Sequence, residues 1–347
     1  MKLPASTTAA NTLIPLDRFS PLVLMGLVTL RHESSDIYII LFASSLGNHV
    51  PSSSTKEQRM YAITGITGKV GGAVARTLLA AGRSVRAVAR DREKVSGWAG
   101  RGCDIALADM QDAATLAAAF AGMEGVFVLL PPVFDPAPGF PESDAVIAAL
   151  RSALLAARPG KVVCLSTIGA QATQENLLTQ LQRMERALGD LPMPVTFLRP
   201  GWFMENAMWD VPSARDQGVV MSFLQPLDKA IPMVATADVG RVAAELLQQD
   251  GEGPRVVELE GPERVAPKDI AAAFDRVLGR PVHVEVVPRG TWEGLFRSQG
   301  MSHPEPRMRM LDGFNEGWIA FEGPADSVHK GHIRLEAVLR DVVQASA

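Results

Sequence analysis

With 347 residues, the chain is long enough for one large core with a smaller lobe attached. Charged residues make up 21% and the formal net charge is -4, so there is no basic field to gather a phosphate backbone and direct nucleic-acid binding is not expected. Only Cys103 and Cys164 are present, in no C-x-x-C arrangement, and the six histidines form no H-E-x-x-H set, so neither a disulfide framework nor a metal site is expected and a reducing cytoplasm fits best.

Residues 1–59 are rich in Ser and Thr, apolar in patches and without sustained periodicity. The apolar runs at 21–30 and 39–42 are too short for the ~20 residues of a membrane-spanning helix. Asp17 and Arg18 before the first run and Arg31 after it do not fit a secretory signal. Residues 1–59 therefore read as an N-terminal extension, either disordered or upstream of a natural start at Met60, with a targeting segment or an ordered accessory element as alternatives.

From Met60 onward, short apolar runs alternate with amphipathic stretches, the pattern of a parallel sheet covered by helices on both faces. Strands are expected at 61–64, 84–89, 105–108, 125–130, 161–165 and 195–198, and helices at 70–81, 112–120, 143–157 and 174–188. Beyond residue 201 the order is a helix at 238–249, a strand at 255–259, a helix at 267–278, a strand at 283–287 and a helix at 291–298. The expected organisation is a dinucleotide-binding domain over 60–201 and a mainly substrate-binding lobe over 202–323, with 238–260 packing back on the sheet. A helical segment follows over 324–347.

The first strand runs into Thr64-Gly65-Ile66-Thr67-Gly68-Lys69-Val70-Gly71, which opens the first helix. Gly65 permits the tight turn, Gly68 lets the backbone approach a pyrophosphate, Gly71 allows close helix packing, and unpaired helix amides face the anion. Strand, glycine turn and helix in this order predict an α/β fold of the Rossmann type, a doubly wound parallel sheet with a smaller mixed C-terminal lobe. Arg90 ends the second strand, where an acid often receives the ribose hydroxyls of NAD, so NADP(H) is favoured over NAD(H); Asp91 keeps the unphosphorylated ribose open and Arg92 is a second cation. Asp109 follows the third strand and stands either beside adenine or in a turn. Leu129, Leu130 and Pro131 lie where the fourth strand meets the adenosine or ribose side, unless they only pack the core. Ser166 and Thr167 end the fifth strand on the nicotinamide side, as ligand contacts or as a simple turn.

The glycine turn, the run Leu165-Ser166-Thr167-Ile168-Gly169-Ala170 and the run from Thr196 to Asn206 through Arg199-Pro200-Gly201 together resemble the NmrA-like family of atypical short-chain dehydrogenases. Further matching phrases are residues 232–240 and 258–262. The resemblance implies an NAD(P)H-dependent reductase of quinones, azo dyes or triarylmethane dyes. It equally implies a non-catalytic redox sensor acting through a protein partner, because the family contains both. The Tyr-x-x-x-Lys pair of typical short-chain dehydrogenases is missing: Tyr38 and Tyr61 are the only tyrosines, and neither has lysine at that spacing. At the corresponding lysine place stands Gln182, a substrate-orienting residue or an exposed helix position. No catalytic residue is singled out. Trp202, Phe203 and Met204, with Asn206 beside them, form either an apolar wall for a planar acceptor or core, and Trp292, Phe314 and Trp318 are candidates for the opposite wall. The expected function is NADPH-dependent hydride reduction of a small quinone-like, azo or related aromatic acceptor, without a membrane partner. A homo-oligomer or a regulatory protein partner stays open.

Overall fold

The computed structural model describes residues 29–32, 35–38 and 59–346, and the chain divides into two compact units, Met1–Thr55 and Lys56–Ala347. In the first unit, β1 (Thr29–His32) pairs antiparallel with β2 (Ser35–Tyr38). Apart from that hairpin, nearly all of the expected N-terminal extension lies outside the described residues.

The second unit starts with strict alternation. In chain order come β3 (Met60–Thr64), α1 (Lys69–Ala80), β4 (Ser84–Ala89), α2 (Arg92–Ala99), β5 (Asp104–Leu107) and α3 (Ala113–Phe120). They are followed by β6 (Gly125–Val128), α4 (Pro141–Ala157), β7 (Val162–Leu165), α5 (Thr179–Leu188) and β8 (Val195–Pro200). The chain then runs through β9 (Trp202–Phe203), a 3₁₀ helix (Met204–Asp210), α6 (Val211–Gln217), β10 (Val219–Ser222), β11 (Met233–Val234), α7 (Thr236–Gln248) and β12 (Pro254–Glu260). Last come α8 (Pro267–Leu278), β13 (His283–Val286), α9 (Trp292–Ser298), α10 (Glu305–Glu316), β14 (His329–Lys330) and α11 (Leu335–Ala345).

Eight of these strands form one sheet in the order β14-β12-β8-β7-β6-β3-β4-β5, with every pairing parallel. Side chains alternate across a strand, and both faces here are buried. Tyr61 and Ile63 enter a core shared with α1 and α7, whereas Ala62 enters the core formed with α3, α4 and α5. A third core, with Trp292, Phe296 and Phe314 at its centre, holds the smaller C-terminal lobe together. This is the doubly wound α/β fold that the alternation predicts. No helix among the described residues is long and apolar enough to cross a membrane.

Several boundaries differ from those expected, each for a local reason. The fourth expected strand stops at Val128, because the Leu129 N–H donates to the Thr64 hydroxyl rather than to a neighbouring strand. The helix expected from 174 begins at Thr179: Asn176 accepts from the Leu178 N–H and donates to the Gln174 carbonyl, a local turn that competes with helix. Helix α2, absent from the sequence reading, buries Val95 alone and gains its start from the Asp91 side chain. The helix expected from 238 begins at Thr236 as α7, where Glu205 starts it: its carboxylate accepts the Thr236 N–H at 2.9 Å and the Thr236 hydroxyl at 2.5 Å. That bond joins the two sequence runs 196–206 and 232–240 in space.

Helices α1 and α7 lie side by side because Gly240 has no side chain: a Cβ there would stand 2.3 Å from the Ala73 Cβ and 2.8 Å from the Val74 nitrogen. Replacing an ordinary helical glycine with alanine stabilises by about 1 kcal/mol. At this contact the sign reverses, and Gly240→Val is expected to destabilise by about 1–3 kcal/mol through overpacking. Chemical denaturation measures it, and an unchanged midpoint would contradict the packing argument.

Asp210, at the end of the 3₁₀ helix, has its carboxyl pushed up to about 7 by burial. An unfolded aspartate ionises near pH ~4, so below that pH the group is neutral in both states and costs nothing. As pH rises towards 7, the unfolded chain releases a proton that the folded chain retains, and stability falls. Asp210→Asn is therefore expected to raise Tm at pH 8 and to leave it unchanged at pH 4, as calorimetry at the two pH values would read.

Candidate functional site

The chain builds outward from β3 to β4 and β5, then returns to the other side of β3 to lay down β6. The connections leaving the carboxyl ends of β3 and β6 therefore diverge, which opens a crevice where open α/β sheets bind ligands. Thr64 sets its width. Its buried hydroxyl donates to the Phe127 carbonyl at 3.1 Å and accepts from the Leu129 N–H at 2.9 Å, stitching the two strand ends together. Expected as a cofactor contact, the Thr64 side chain is instead fully buried and already bonded, so it positions the turn rather than facing the crevice.

Gly65 turns the chain with φ +62°, a left-handed conformation that other residues rarely adopt, and it sits against the Leu129 side chain. The Gly68 N–H closes the turn on the Gly65 carbonyl at 2.9 Å. A Cβ on Gly71 would stand 2.3 Å from the Gly65 carbonyl oxygen, so α1 approaches the turn backbone to backbone. No side chain caps α1, and no acid occupies its first turn. Its free amides and the positive end of the helix dipole thus face the crevice. Thr67, Gly68 and Lys69 are exposed there, whereas Val70 is buried and offers only its backbone. The residues fit a dinucleotide pyrophosphate: an uncapped helix end beside a turn whose glycines leave no side chain in the way.

At the end of β4, Arg90 is exposed and takes part in none of the ion pairs found among the described residues. Asp91 is committed elsewhere, since its carboxylate accepts the Glu93 N–H at 2.9 Å and caps α2. Asp109 accepts the Gln111 N–H at 2.9 Å in a local turn. Leu129 and Leu130 are half-buried at the crevice wall, and Pro131 is exposed.

The carboxyl ends of β7 and β8 carry an ion network that sequence reasoning missed. Arg199 is 5% exposed and grips both carboxylate oxygens of Glu185, at 2.8 and 2.6 Å, while its other arm reaches Glu322 at 2.8 Å. The Ser166 hydroxyl donates to Glu185, so Ser166 is buried and held back from the crevice, while Thr167 is half-buried at the strand end. Glu258, on β12, accepts the N–H groups of Glu322 and Gly323 and ties that segment to the sheet. Gln182 donates to the Ala172 carbonyl at 2.8 Å, a bond that fixes the loop after β7. The signal for this network was in the sequence as a charged arginine on a strand, Val195–Pro200, whose only other polar side chain is Thr196, a placement that requires a buried partner.

After β8, Trp202 and Phe203 are half-buried, Trp202 packing edge-on against Phe314 with ring centroids 5.2 Å apart. Met204 is only 2% exposed and belongs to the lobe core, so it is not part of an open wall. Trp292 is likewise fully buried, its indole N–H bonded to the Val287 carbonyl. Both residues lie where the lobe needs volume, and packing claims them first. Asn206 is exposed, and two residues on, Met208 contacts the Lys69 ammonium at 3.6 Å, so the 3₁₀ helix closes one side of the glycine turn. Trp209 beside it is 79% exposed, and Phe134, on the loop after β6, is also exposed. A shallow groove of about 470 Å³ between α8 and β13 shares no residue with this edge of the sheet.

Over 260 residues, the chain is 28% identical to an NAD(P)H azoreductase of Xenophilus azovorans, covering 74% of this chain and 85% of that protein. It is 34% identical over 228 residues to a (4-alkanoyl-5-oxo-2,5-dihydrofuran-3-yl)methyl phosphate reductase of Streptomyces griseus, covering 65% of this chain and 76% of that protein. Its fold is similar to the crystal structure of the NADPH-dependent quinone oxidoreductase QOR2 of Escherichia coli in complex with NADPH. The TM-score is 0.69 at 22% identity, with 83% of this chain and 100% of that chain covered. A family match running from residue 57 to residue 306 takes in the glycine turn, the Thr64 stitch and the Glu185–Arg199 pair, and by it the chain belongs to the NmrA-like family.

Proposed function

We propose that this chain is an NADPH-dependent reductase that passes hydride to a quinone-like, azo or related aromatic acceptor. The observation that carries the reading is the uncapped N-terminus of α1, opening beside Gly65 and Gly68 at the point where the β3 and β6 connections diverge. Its relatives named NAD(P)H azoreductase and NADPH-dependent quinone oxidoreductase support the reaction class. Amides of Thr67, Gly68, Lys69 and Val70 hold the pyrophosphate, and Gly71 lets the helix come close enough to present them. Arg90 takes the ribose phosphate. It has no partner among the ion pairs of the described residues, whereas the acid next to it is consumed by the α2 cap. Leu129, Leu130 and Pro131 flank the adenosine or ribose side, with the Asp109 turn at the sheet edge beyond them. Thr167 lies on the nicotinamide side, where Ser166 acts through Glu185.

Bound in this crevice, the reduced nicotinamide supplies the hydride. The chain supplies orientation and exclusion of water: Trp202 and Phe203 offer an apolar wall, and the exposed Phe134 and Trp209 offer flat apolar surface at the rim, suited to a planar aromatic acceptor. Without the Tyr-x-x-x-Lys pair, acceptors whose reduction does not depend on a phenol proton donor are favoured over alcohols.

Titration with NADPH and NADH, followed by absorbance at the nicotinamide band after addition of menadione or an azo dye, tests the reading. Acceptor-dependent oxidation is expected. Tight NADPH binding with no turnover on any acceptor would refute the reductase and leave a dinucleotide-dependent sensor. Removing a charge-assisted bond costs roughly 1.5–3 kcal/mol, so Arg90→Ala is expected to raise the KM for NADPH by about tenfold to a hundredfold. The KM for NADH should be unchanged, and parallel loss for both cofactors would remove Arg90 from the phosphate site.

A further inference from the structure

We propose that His303, oriented by Asp135, is the proton donor to the reduced acceptor; the assignment rests on the reductase reading. The loop after β6 leaves the crevice at Leu129 and runs to Asp135, whose carboxylate accepts the N–H groups of Ser302 and His303, each at 2.7 Å. These bonds draw residues 302–303 of the C-terminal lobe onto the loop. The same segment is fixed to the approach of α5 by the Leu177 N–H, which donates to the Pro306 carbonyl at 2.8 Å. Gln180 donates to the Val133 carbonyl at 3.1 Å and holds the loop from the other side. His303 thus sits where the loop after β6, the start of α5 and the C-terminal lobe meet, on the carboxyl side of the sheet.

Its ring is divided between two environments. Nδ1 is buried and is the only such side-chain nitrogen or oxygen without a hydrogen-bond partner among the described residues, 3.8 Å from an Asp135 oxygen. The side chain as a whole is 41% exposed, so its remaining edge is open. The Ser302 N–H first, aided by the His303 N–H, holds the Asp135 carboxyl below the usual carboxylate range and therefore ionised. Other charged groups on the surrounding segments are Arg297, which donates to the Ser302 carbonyl from α9, and Glu305 and Arg307 in the histidine's own segment. Closing the 3.8 Å gap would give the Nδ1–H to Asp135 and direct Nε2 outward, an arrangement that fixes the tautomer. The sole tyrosine in the body of the chain, Tyr61, is fully buried in the sheet core and cannot serve as a phenol donor.

Two-electron reduction of a quinone transfers one hydride from the reduced nicotinamide, which becomes NADP⁺, and leaves an oxyanion on the acceptor. His303 breaks its Nε2–H bond to deliver a proton, forming the neutral quinol. The imidazole then regains a proton from solvent at its open edge. A cationic triarylmethane dye provides the contrast, because hydride addition to its central carbon yields a neutral product and consumes no proton.

His303→Gln is expected to lower kcat on menadione by roughly a hundredfold, within the range of general acid catalysis. Asp135→Asn should lower it less, and each variant should lose far more on menadione than on the dye. In the ¹⁵N spectrum of the cofactor-free full chain in alkaline buffer, the deprotonated ring, the form left once Nε2 has given its proton, is expected as the Nδ1–H tautomer, reverting to Nε2–H in Asp135→Asn. Equal losses on both acceptors, no loss on either, or an Nε2–H tautomer in the unaltered chain would overturn the assignment alone. Absence of any turnover by the unaltered chain would overturn the reductase reading and this assignment with it.

Discussion

A side chain at Gly71 would collide with the Gly65 carbonyl, so α1 can begin where it does only because two backbones are allowed to touch. That contact aims the free amides of α1 into the crevice, and Thr64 fixes the opposite wall by bonding to Phe127 and Leu129. The proposed anion site is therefore made almost wholly of main chain. Its geometry depends on close packing rather than on side-chain chemistry, and rigid donors of that kind need no rearrangement when an anion arrives.

Around this centre the C-terminal lobe is held by carboxylates that accept backbone N–H groups. Glu205 starts α7, Glu258 binds the Glu322 and Gly323 amides, and Asp238 accepts from His332 and Ile333 at 2.8 Å each. Glu260 adds bonds to Arg264 and Lys330. Buried charges stabilise weakly on balance, because desolvation offsets their attraction, but leaving one without its partner is costly. Their effect here is one of geometry: each carboxylate ties a distant segment to the sheet, and the last two bring the end of the chain against β12 to add β14. The same constraint explains why Ser166 is held back, since the Glu185 that binds it is already bound by Arg199.

The alternation of apolar strands with amphipathic helices, the glycine turn and the motifs around 165–170 and 196–206 carried the fold class and the family in the sequence itself. They could do so because both faces of a parallel sheet are buried, which imposes continuous apolar runs, and because a backbone-only contact tolerates no residue but glycine at Gly71. Thr67, Gly68 and Lys69 of the glycine turn are exposed, as is Arg90 after β4.

What only the tertiary structure decided was which polar and aromatic groups face the crevice. Met204 and Trp292 look like wall residues in a linear reading, yet the lobe core takes them. Thr64, Gln182 and Ser166 look like ligand contacts, yet each is satisfied by a group 10 to 65 positions away. Asp135 and His303 are 168 positions apart, and nothing local links them. Local periodicity and turn chemistry act over a few residues and are written in the sequence. The pairing of a buried donor with its acceptor is settled by whatever the folded chain brings within about 3 Å, and that depends on the whole packing.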